Sequence, residues 1–244
     1  MVARIARPEP ALPVRFSLLV CTLGRVTELE RLLESLRTQS HRNFEVVLVD
    51  QNADARLDPV LRRFTESLSI RRIRSARGIS RGRNAGLPHC QGDIIGLPDD
   101  DCWYPPGLLE SVAQAFSERP QAGFVFGRWR DENDRDALGP WPESECAATR
   151  QLVWTRAISF TIFLRRAAVL RVGPFDERLG VGADTPWGAG EETDYVLRAM
   201  SAGIRGWHYP DCVVHHPSGR ELAAMHAAAR ALSYGRGIGF VLGK

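Results

Sequence analysis

Two unbroken apolar runs of strand length, FSLLVCTL at 16–23 and EVVLVD at 45–50, bracket a segment whose leucines share one helical face. A run without polar alternation must be covered on both sides, which suits the interior strands of a parallel sheet flanked by helices. Between the runs, Leu29, Leu32, Leu33 and Leu36 stand at helical spacing, and Thr27 with Glu30 matches a capping box. Strand, helix, strand in this order is a βαβ unit. The alternation continues. Asp58-Pro59 opens a second helix with Val60, Leu61, Phe64 and Leu68 on its apolar face, and 69–74 reads as a short strand. A helix is predicted over 80–90, which Pro88 should end or distort early, followed by a strand at 93–98. A helix at 106–118, a strand at 123–129, a polar loop or insertion over 131–149 and a strand at 160–164 come next. The pattern closes with a helix at 191–202, a last strand at 212–216 and an Ala-rich helix at 221–232. The predicted fold class is α/β, a single Rossmann-like, doubly wound, mostly parallel sheet flanked by helices.

Composition narrows the function. The 244 residues carry 32 basic and 29 acidic side chains, a net charge of +3, too small an excess for a dedicated nucleic-acid clamp. Lys244 is the only lysine. Five cysteines without a CxxC pair argue against a disulfide framework and for a reducing, cytoplasmic setting. No apolar run approaches the roughly 20 residues of a membrane span. The N-terminal stretch has early arginines but no apolar signal region, so it reads as a flexible leader.

The chemistry-bearing residues follow the apolar runs. Asp99, Asp100 and Asp101 come directly after the 93–98 strand. In an extended chain Asp99 and Asp101 point one way and Asp100 the other, so two carboxylates form a hard oxygen site for Mg²⁺ or Mn²⁺. The competing reading is a solvated acidic turn. Asp50 ends the second strand, where a carboxylate can take hydrogen bonds from a base or ribose, or simply form a turn with Asn52. Six arginines and no acid lie between Arg71 and Arg83, and Arg83 is the best placed to hold phosphate. In WGAGEETDYVLRAM at 187–200, Trp187 among glycines suits a loop closing on a sugar. The acids after it can serve as a general base or only favour the helix dipole, and Asp194 with Arg198 is spaced for an i,i+4 pair. Of His215 and His216, adjacent on a strand, only one can face a site.

In chain order, FSLLVCTLGR, VVLVDQN, SRGRNAGLPHCQGDIIGLPDDDCWYPPGLL, GPFDERLG and GEETDYVLRA resemble the family 2 glycosyltransferases from about residue 16 to 217. The resemblance implies a GT-A fold, a nucleotide-diphospho-sugar donor, Mn²⁺ or Mg²⁺, and inversion at the anomeric carbon. It divides the chain into a leader at 1–15, a GT-A domain at 16–217 and a helical extension at 218–244. Residues 16–101 of that domain form the nucleotide-sugar half and 102–217 the acceptor half. Position by position, Thr22, Asp50 and Arg83 match donor-contacting residues. Asp99 and Asp101 match the DxD pair, with Asp101 the metal ligand and Asp99 or Asp100 nearer the ribose. His216 matches a histidine that can complete the metal or diphosphate site, and Trp187 stands on the acceptor side. The family usually has Glu-Asp before its acceptor-side helix; here Glu191-Glu192 stands there, which gives Glu192 the place of the base with Glu191 as the alternative. The expected activity is hexosyl or deoxyhexosyl transfer to a glycan or lipid-linked glycan acceptor in bacterial envelope polysaccharide synthesis. No nucleic acid is expected as a partner, and peripheral contact with the inner face of the cytoplasmic membrane is. A sugar nucleotidyltransferase would instead show a Gly- and Lys-rich phosphate loop, and a non-catalytic nucleotide-binding or scaffold protein would bind nucleotide without turnover. The ending SYGRGIGFVLGK, with alternating glycines and apolar residues, reads as an interruption rather than a natural terminus.

Overall fold

The computed structural model describes residues 14–218 and 223–244. In chain order the elements are β1 (Phe16–Thr22), α1 (Thr27–Arg37), β2 (Phe44–Asp50), α2 (Asp58–Phe64), β3 (Ile70–Arg74), α3 (Ile79–Gly86), β4 (Ile94–Gly96), α4 (Leu108–Glu118) and β5 (Ala122–Arg130). There follow β6 (Cys146–Ala147), α5 (Arg150–Arg156), β7 (Ile162–Arg165), α6 (Arg166–Val172), α7 (Glu191–Ser201), β8 (Arg205–His215) and α8 (Ala223–Leu242). The strands form one sheet in the order β3-β2-β1-β4-β7-β5-β8-β6, parallel except at β7 and β6. Helices α1, α2 and α4 cover one face with Leu29, Leu32, Phe64, Leu109 and Phe116; α6, α7 and the end of α8 cover the other with Val169, Tyr195 and Val241. The predicted doubly wound α/β class is the observed one.

The continuous apolar runs became β1 and β2 because both faces are covered: every residue of β1 is buried. From β1 the chain goes out to β2 and β3, then crosses back to β4 on the other side, leaving a crevice beyond the carboxyl ends of β1 and β4. Thr22 and Asp99 border that crevice, and Cys21 and Asp99 form an isolated parallel bridge. Helix α3 approaches the sheet closely because Gly82 and Gly86 face it: a Cβ on Gly86 would run into Leu19 and Val49. That approach carries Arg83 into the interior.

Several sequence expectations are corrected. Thr27 does not cap α1; Val26 holds the cap position without a side-chain bond, and Glu30 pairs with Arg63. The 80–90 helix ends at Gly86 and tightens into a 3-10 turn over Leu87–His89, as Pro88 requires. Helix α4 begins at Leu108, after Gly107 turns the chain in the left-handed region at φ 90°. The 131–149 segment is chiefly loop, with the two-residue β6 at its end. The last strand begins at Arg205, seven residues before its expected start. Pro210 broke the sequence pattern, but it lies where the β5–β8 register shifts, and a bulge tolerates proline. A Cβ on Gly127 opposite would collide with the Cys212 carbonyl, so this irregular pairing needs glycine. The short helices α5 and α6 had no sequence expectation at all.

Of the expected leader, residues 1–13 lie outside the described residues. Arg15 is tied down, its N–H donating to Asp93 Oδ2 at 3.0 Å and its guanidinium pairing with Glu45. Of the predicted 221–232 helix, 221–222 lie outside the described residues. The helix itself runs on to Leu242, ten residues past its expected end. Its ending is packed: Phe240 stacks on Trp187 with ring centroids 3.9 Å apart, and Lys244 Nζ donates to Asp194 at 2.7 Å and Asp176 at 2.8 Å.

Candidate active site

The Asp99–Asp101 segment follows β4 but is a turn, not strand, which corrects the strict alternation expected of it. Asp99 still shares a site with Asp101, and His216 joins them from just beyond β8. One ligand atom from each lies within 4.8 Å of the others. His216 Nε2 sits 2.9 Å from Asp101 Oδ1, an ion-pair distance, and that buried oxygen accepts no well-aligned hydrogen bond among the described residues. A buried carboxylate oxygen without a well-aligned donor beside a second carboxylate and an imidazole nitrogen suits a divalent cation such as Mn²⁺ or Mg²⁺. The residues present therefore fit the group. His215 turns away and stacks on Trp103 with centroids 5.3 Å apart, so His216 is the histidine facing the site. Two rings hold the imidazole: Phe160 stacks on it at 4.6 Å and Trp129 meets it edge-on at 5.5 Å.

Charge in this cleft is balanced unevenly. Burial pushes the Asp99 carboxyl up to about 6, with Arg83 and His216 opposing. Asp101 has the reverse outcome: burial works to raise it, but His216 and Arg25 hold it below the ordinary value. Burial likewise works to lower the His216 imidazole, and the neighbouring Asp101 carboxylate outweighs it, so the ring is shifted toward its charged form. Arg25, on the loop after β1, reaches both Asp100 and Asp101 at 2.7 Å. Arg31 donates to the Asp101 carbonyl at 2.5 Å and lies over the Trp103 ring.

Arg83 is 2% exposed and binds Glu191 Oε1 at 3.1 Å, with Asp99 Oδ1 at 3.8 Å on its other side. It thus bridges the Asp99–Asp101 turn and the first turn of α7. Glu192, next along the helix, forms no ion pair among the described residues. Burial and the adjacent Glu191 push its carboxyl well above the usual range, with Arg83 opposing. Gly190 enters α7 at φ 91°, a left-handed turn that starts the helix right at Glu191. Asp194 pairs with Arg198 at 2.9 Å, as the i,i+4 spacing predicts.

The other expected site residues lie in closer packing. Asp50 is fully buried, and its oxygens accept from Asn52 N at 2.9 Å, Asn52 Nδ2 at 2.8 Å and the Arg72 guanidinium. That is the Asx-turn reading, closed by a β3 arginine. Thr22 is buried beside the Arg25 carbonyl. Trp187 is half-covered by Phe240 of α8. Arg25, Arg31 and Ser159, which donates to Asp99 Oδ1 at 3.2 Å, had no place in the sequence reading. The signal for Arg25 was available: it follows the carboxyl end of β1 by three residues, where open α/β sheets bind ligands. Ser159 carried no such signal, because only the sheet order brings β7 beside β4.

Together, a doubly wound sheet, an acidic turn beyond its central strand and a carboxylate pair opposite define an α/β protein with a candidate cation site at the carboxyl end of its sheet. The sequence model of "Glycosyl transferase family 2" matches residues 17–173, and the chain belongs to that family. A glycosyltransferase of Haemophilus influenzae described as uncharacterized is 32% identical over 111 residues, covering 45% of this chain and 37% of that one. The hyaluronan synthase of Pasteurella multocida is 35% identical over 165 residues, covering 66% of this chain and 15% of the synthase. The chain therefore spans well under half the length of either relative. Among solved structures, S. aureus TarS in complex with UDP-GlcNAc superposes with a TM-score of 0.70 at 20% identity, over 83% of this chain and 58% of that one. The mannosyltransferase PcManGT of Pyrobaculum calidifontis, in complex with GDP-Man and Mn²⁺, gives 0.67 at 19% identity, over 96% and 67%. At these identities the likeness shows the fold, and the fold is that of GT-A glycosyltransferases. No helix among the described residues is long and apolar enough to cross a membrane.

Proposed function

We propose that this chain is a metal-dependent, inverting glycosyltransferase that moves a hexosyl or deoxyhexosyl group from a nucleotide-diphospho-sugar to an acceptor hydroxyl in bacterial envelope polysaccharide synthesis. The observation that carries the reading is the cluster of Asp99, Asp101 and His216 facing, across Arg83, the Glu191-Glu192 pair. Family membership and the nucleotide-sugar complexes of the structural neighbours support the donor class, and the kinship with a hyaluronan synthase supports a polysaccharide product. Asp99, Asp101 and His216 would hold the cation. When bound, it supplies positive charge to a leaving diphosphate. Asp100, Thr22 and the Asp50 turn border the nucleotide side.

The two glutamates divide the work. Glu191 is engaged by Arg83 and positions it between the two halves of the cleft. Glu192 is unpaired and raised, so it holds a proton more readily than a solvated carboxylate and suits a general base. It takes the acceptor hydroxyl proton as that oxygen bonds to the anomeric carbon. The bond from that carbon to the donor phosphate oxygen breaks, its electron pair leaving with the diphosphate. One displacement inverts the anomeric centre and needs no covalent intermediate.

Melting temperature tests the donor and cation together. UDP- or GDP-sugars with Mn²⁺ should raise it, by about 2.7 kcal/mol of stabilisation at a hundredfold excess over Kd, and a chelator should reverse the rise. Asp101→Ala should abolish the cation-dependent part. A nucleotide-sugar response that persists unchanged in excess chelator and in Asp101→Ala would remove the cation from the reading.

A further inference from the structure

At the end of the sheet opposite the acidic cleft, the starts of β5 and β8, the end of β7 and helix α6 enclose an open hollow of about 360 Å³. Its lining includes Arg165, Arg171 and Arg205 and no acidic residue. Elsewhere Arg25, Arg72, Arg83, Arg130, Arg178 and Arg198 pair with carboxylates, whereas here three guanidinium groups converge on one hollow with no acid in its lining. Arg165, Arg171 and Arg205 form no ion pair among the described residues.

Arg165 is held in place. It is half-buried over the Phe116 ring at 4.7 Å, with Nε donating to the Ala122 carbonyl at 2.8 Å and Nη2 to the Phe116 carbonyl at 3.0 Å. Those bonds fix the plane of the guanidinium and use two of its five N–H donors, leaving others for a ligand. Burial works against its charge, and the more distant Asp93 offsets this in part; a half-buried cation without a paired acid favours an anion beside it. Arg171, in the last turn of α6, and Arg205, at the head of β8 and over the Trp207 ring, are exposed and able to close on a ligand. Gly203, in the left-handed region at φ 78°, keeps the rim low: a Cβ there would stand 3.9 Å from Arg171 Nη2.

We propose that this hollow binds a phosphate-type oxyanion, held by the guanidinium groups of Arg165, Arg171 and Arg205. Guanidinium forks match the tetrahedral oxygens of phosphate in geometry and charge. The oxyanion comes from free phosphate or from the headgroup of an anionic phospholipid; Leu170, 72% exposed beside Arg171, offers the second source an apolar contact. The site is independent of the transfer reaction, because the length of the sheet separates it from Asp99, Asp101 and Glu192.

The test uses the whole chain with a chelator present, which silences the cation cleft. Inorganic phosphate is titrated by calorimetry, and phosphatidylglycerol vesicles are compared with phosphatidylcholine vesicles by co-sedimentation. Binding to phosphate, to phosphatidylglycerol vesicles or to both supports the site, provided that Arg171→Glu and Arg205→Glu each weaken it about tenfold or more. Phosphate binding alone identifies the free ion as the source. Vesicle binding that Leu170→Asp also weakens identifies the lipid headgroup. Arg171→Gln and a melting curve for each variant separate charge from folding, since both arginines are exposed. Absence of binding to either probe, or binding that survives both reversals of charge, overturns the proposal.

Discussion

Adjacent on the first turn of α7, Glu191 and Glu192 have different surroundings, and substitution should separate them. Glu192→Gln keeps size and hydrogen bonding but cannot accept a proton, so turnover should fall by roughly 10²–10⁴. Its melting temperature should hold or rise, because the wild-type carboxylate is disfavoured by burial and by its neighbour. Glu191→Gln removes the charge opposite the buried Arg83, and should cost about 1–3 kcal/mol of stability. Kinetics and melting curves on both variants check this, and normal turnover in Glu192→Gln would end its assignment as the base. The candidate carboxylates and Arg83 were all legible as residues, since the aspartates follow apolar runs, the glutamates open a helix and Arg83 lies in the helix before the acidic segment. Their partners were not. Asp50 read equally well as a nucleotide contact and as a turn, and the arginine that meets its side chain comes from β3, 22 positions away.

At the scale of the element, α8 shows how close approach offsets poor helix propensity. Ser233, Gly237 and Val241, spaced by four, face Gly188, Ala189 and Gly190 of the loop before α7. A Cβ on Gly237 would collide with the Ala189 backbone, whereas Gly235 and Gly239 have open space around theirs. The substitutions should therefore have opposite signs. Gly235→Ala and Gly239→Ala should each stabilise the protein by about 0.5–1 kcal/mol, the helix cost of an exposed glycine. Gly237→Val should force α8 from the loop at a cost of about 1–3 kcal/mol. Hydrogen exchange read separately in α8 and in the sheet checks it: protection should fall in α8 and remain in β1 and β2. Equal effects at all three glycines would contradict this packing. The sequence showed three glycines at alternate positions and no mate for them, because the loop that α8 meets lies about 50 residues earlier in the chain.

The stability of the whole molecule against pH should combine two opposed groups of titrations. Asp99, pushed by burial up to about 6, binds its proton in the folded state well above the unfolded value of 3.8. Its contribution therefore rises as pH falls through about 6. His208 works the other way. Burial between Phe126 and Trp141, which stacks on it at 5.8 Å, lowers its pKa below 6.5. The unfolded chain takes up that proton first, so the His208 contribution is present above about 6.5 and is lost on acidification. Melting curves taken without metal between pH 7.5 and 5 should show His208→Gln gaining stability relative to wild type as pH falls, and Asp99→Asn losing it. Parallel pH slopes in both variants would refute the balance.

By itself the sequence determined the α/β class, the βαβ start, the acidic turn beyond the central strand and the glutamate pair at the head of α7. Those features are local: apolar runs, helical spacing and the residue that ends a strand can be read within a dozen positions. The tertiary structure decided the rest. The sheet order set Ser159 beside Asp99, the bulge at Pro210 let β8 start at Arg205, and α8 came to cover Trp187. It also chose His216 over His215 and gave Arg83 to Glu191 while leaving Glu192 unpaired. Each of these depends on contacts between segments far apart in the chain, where burial and charge neighbours are fixed only when the sheet closes and the helices dock.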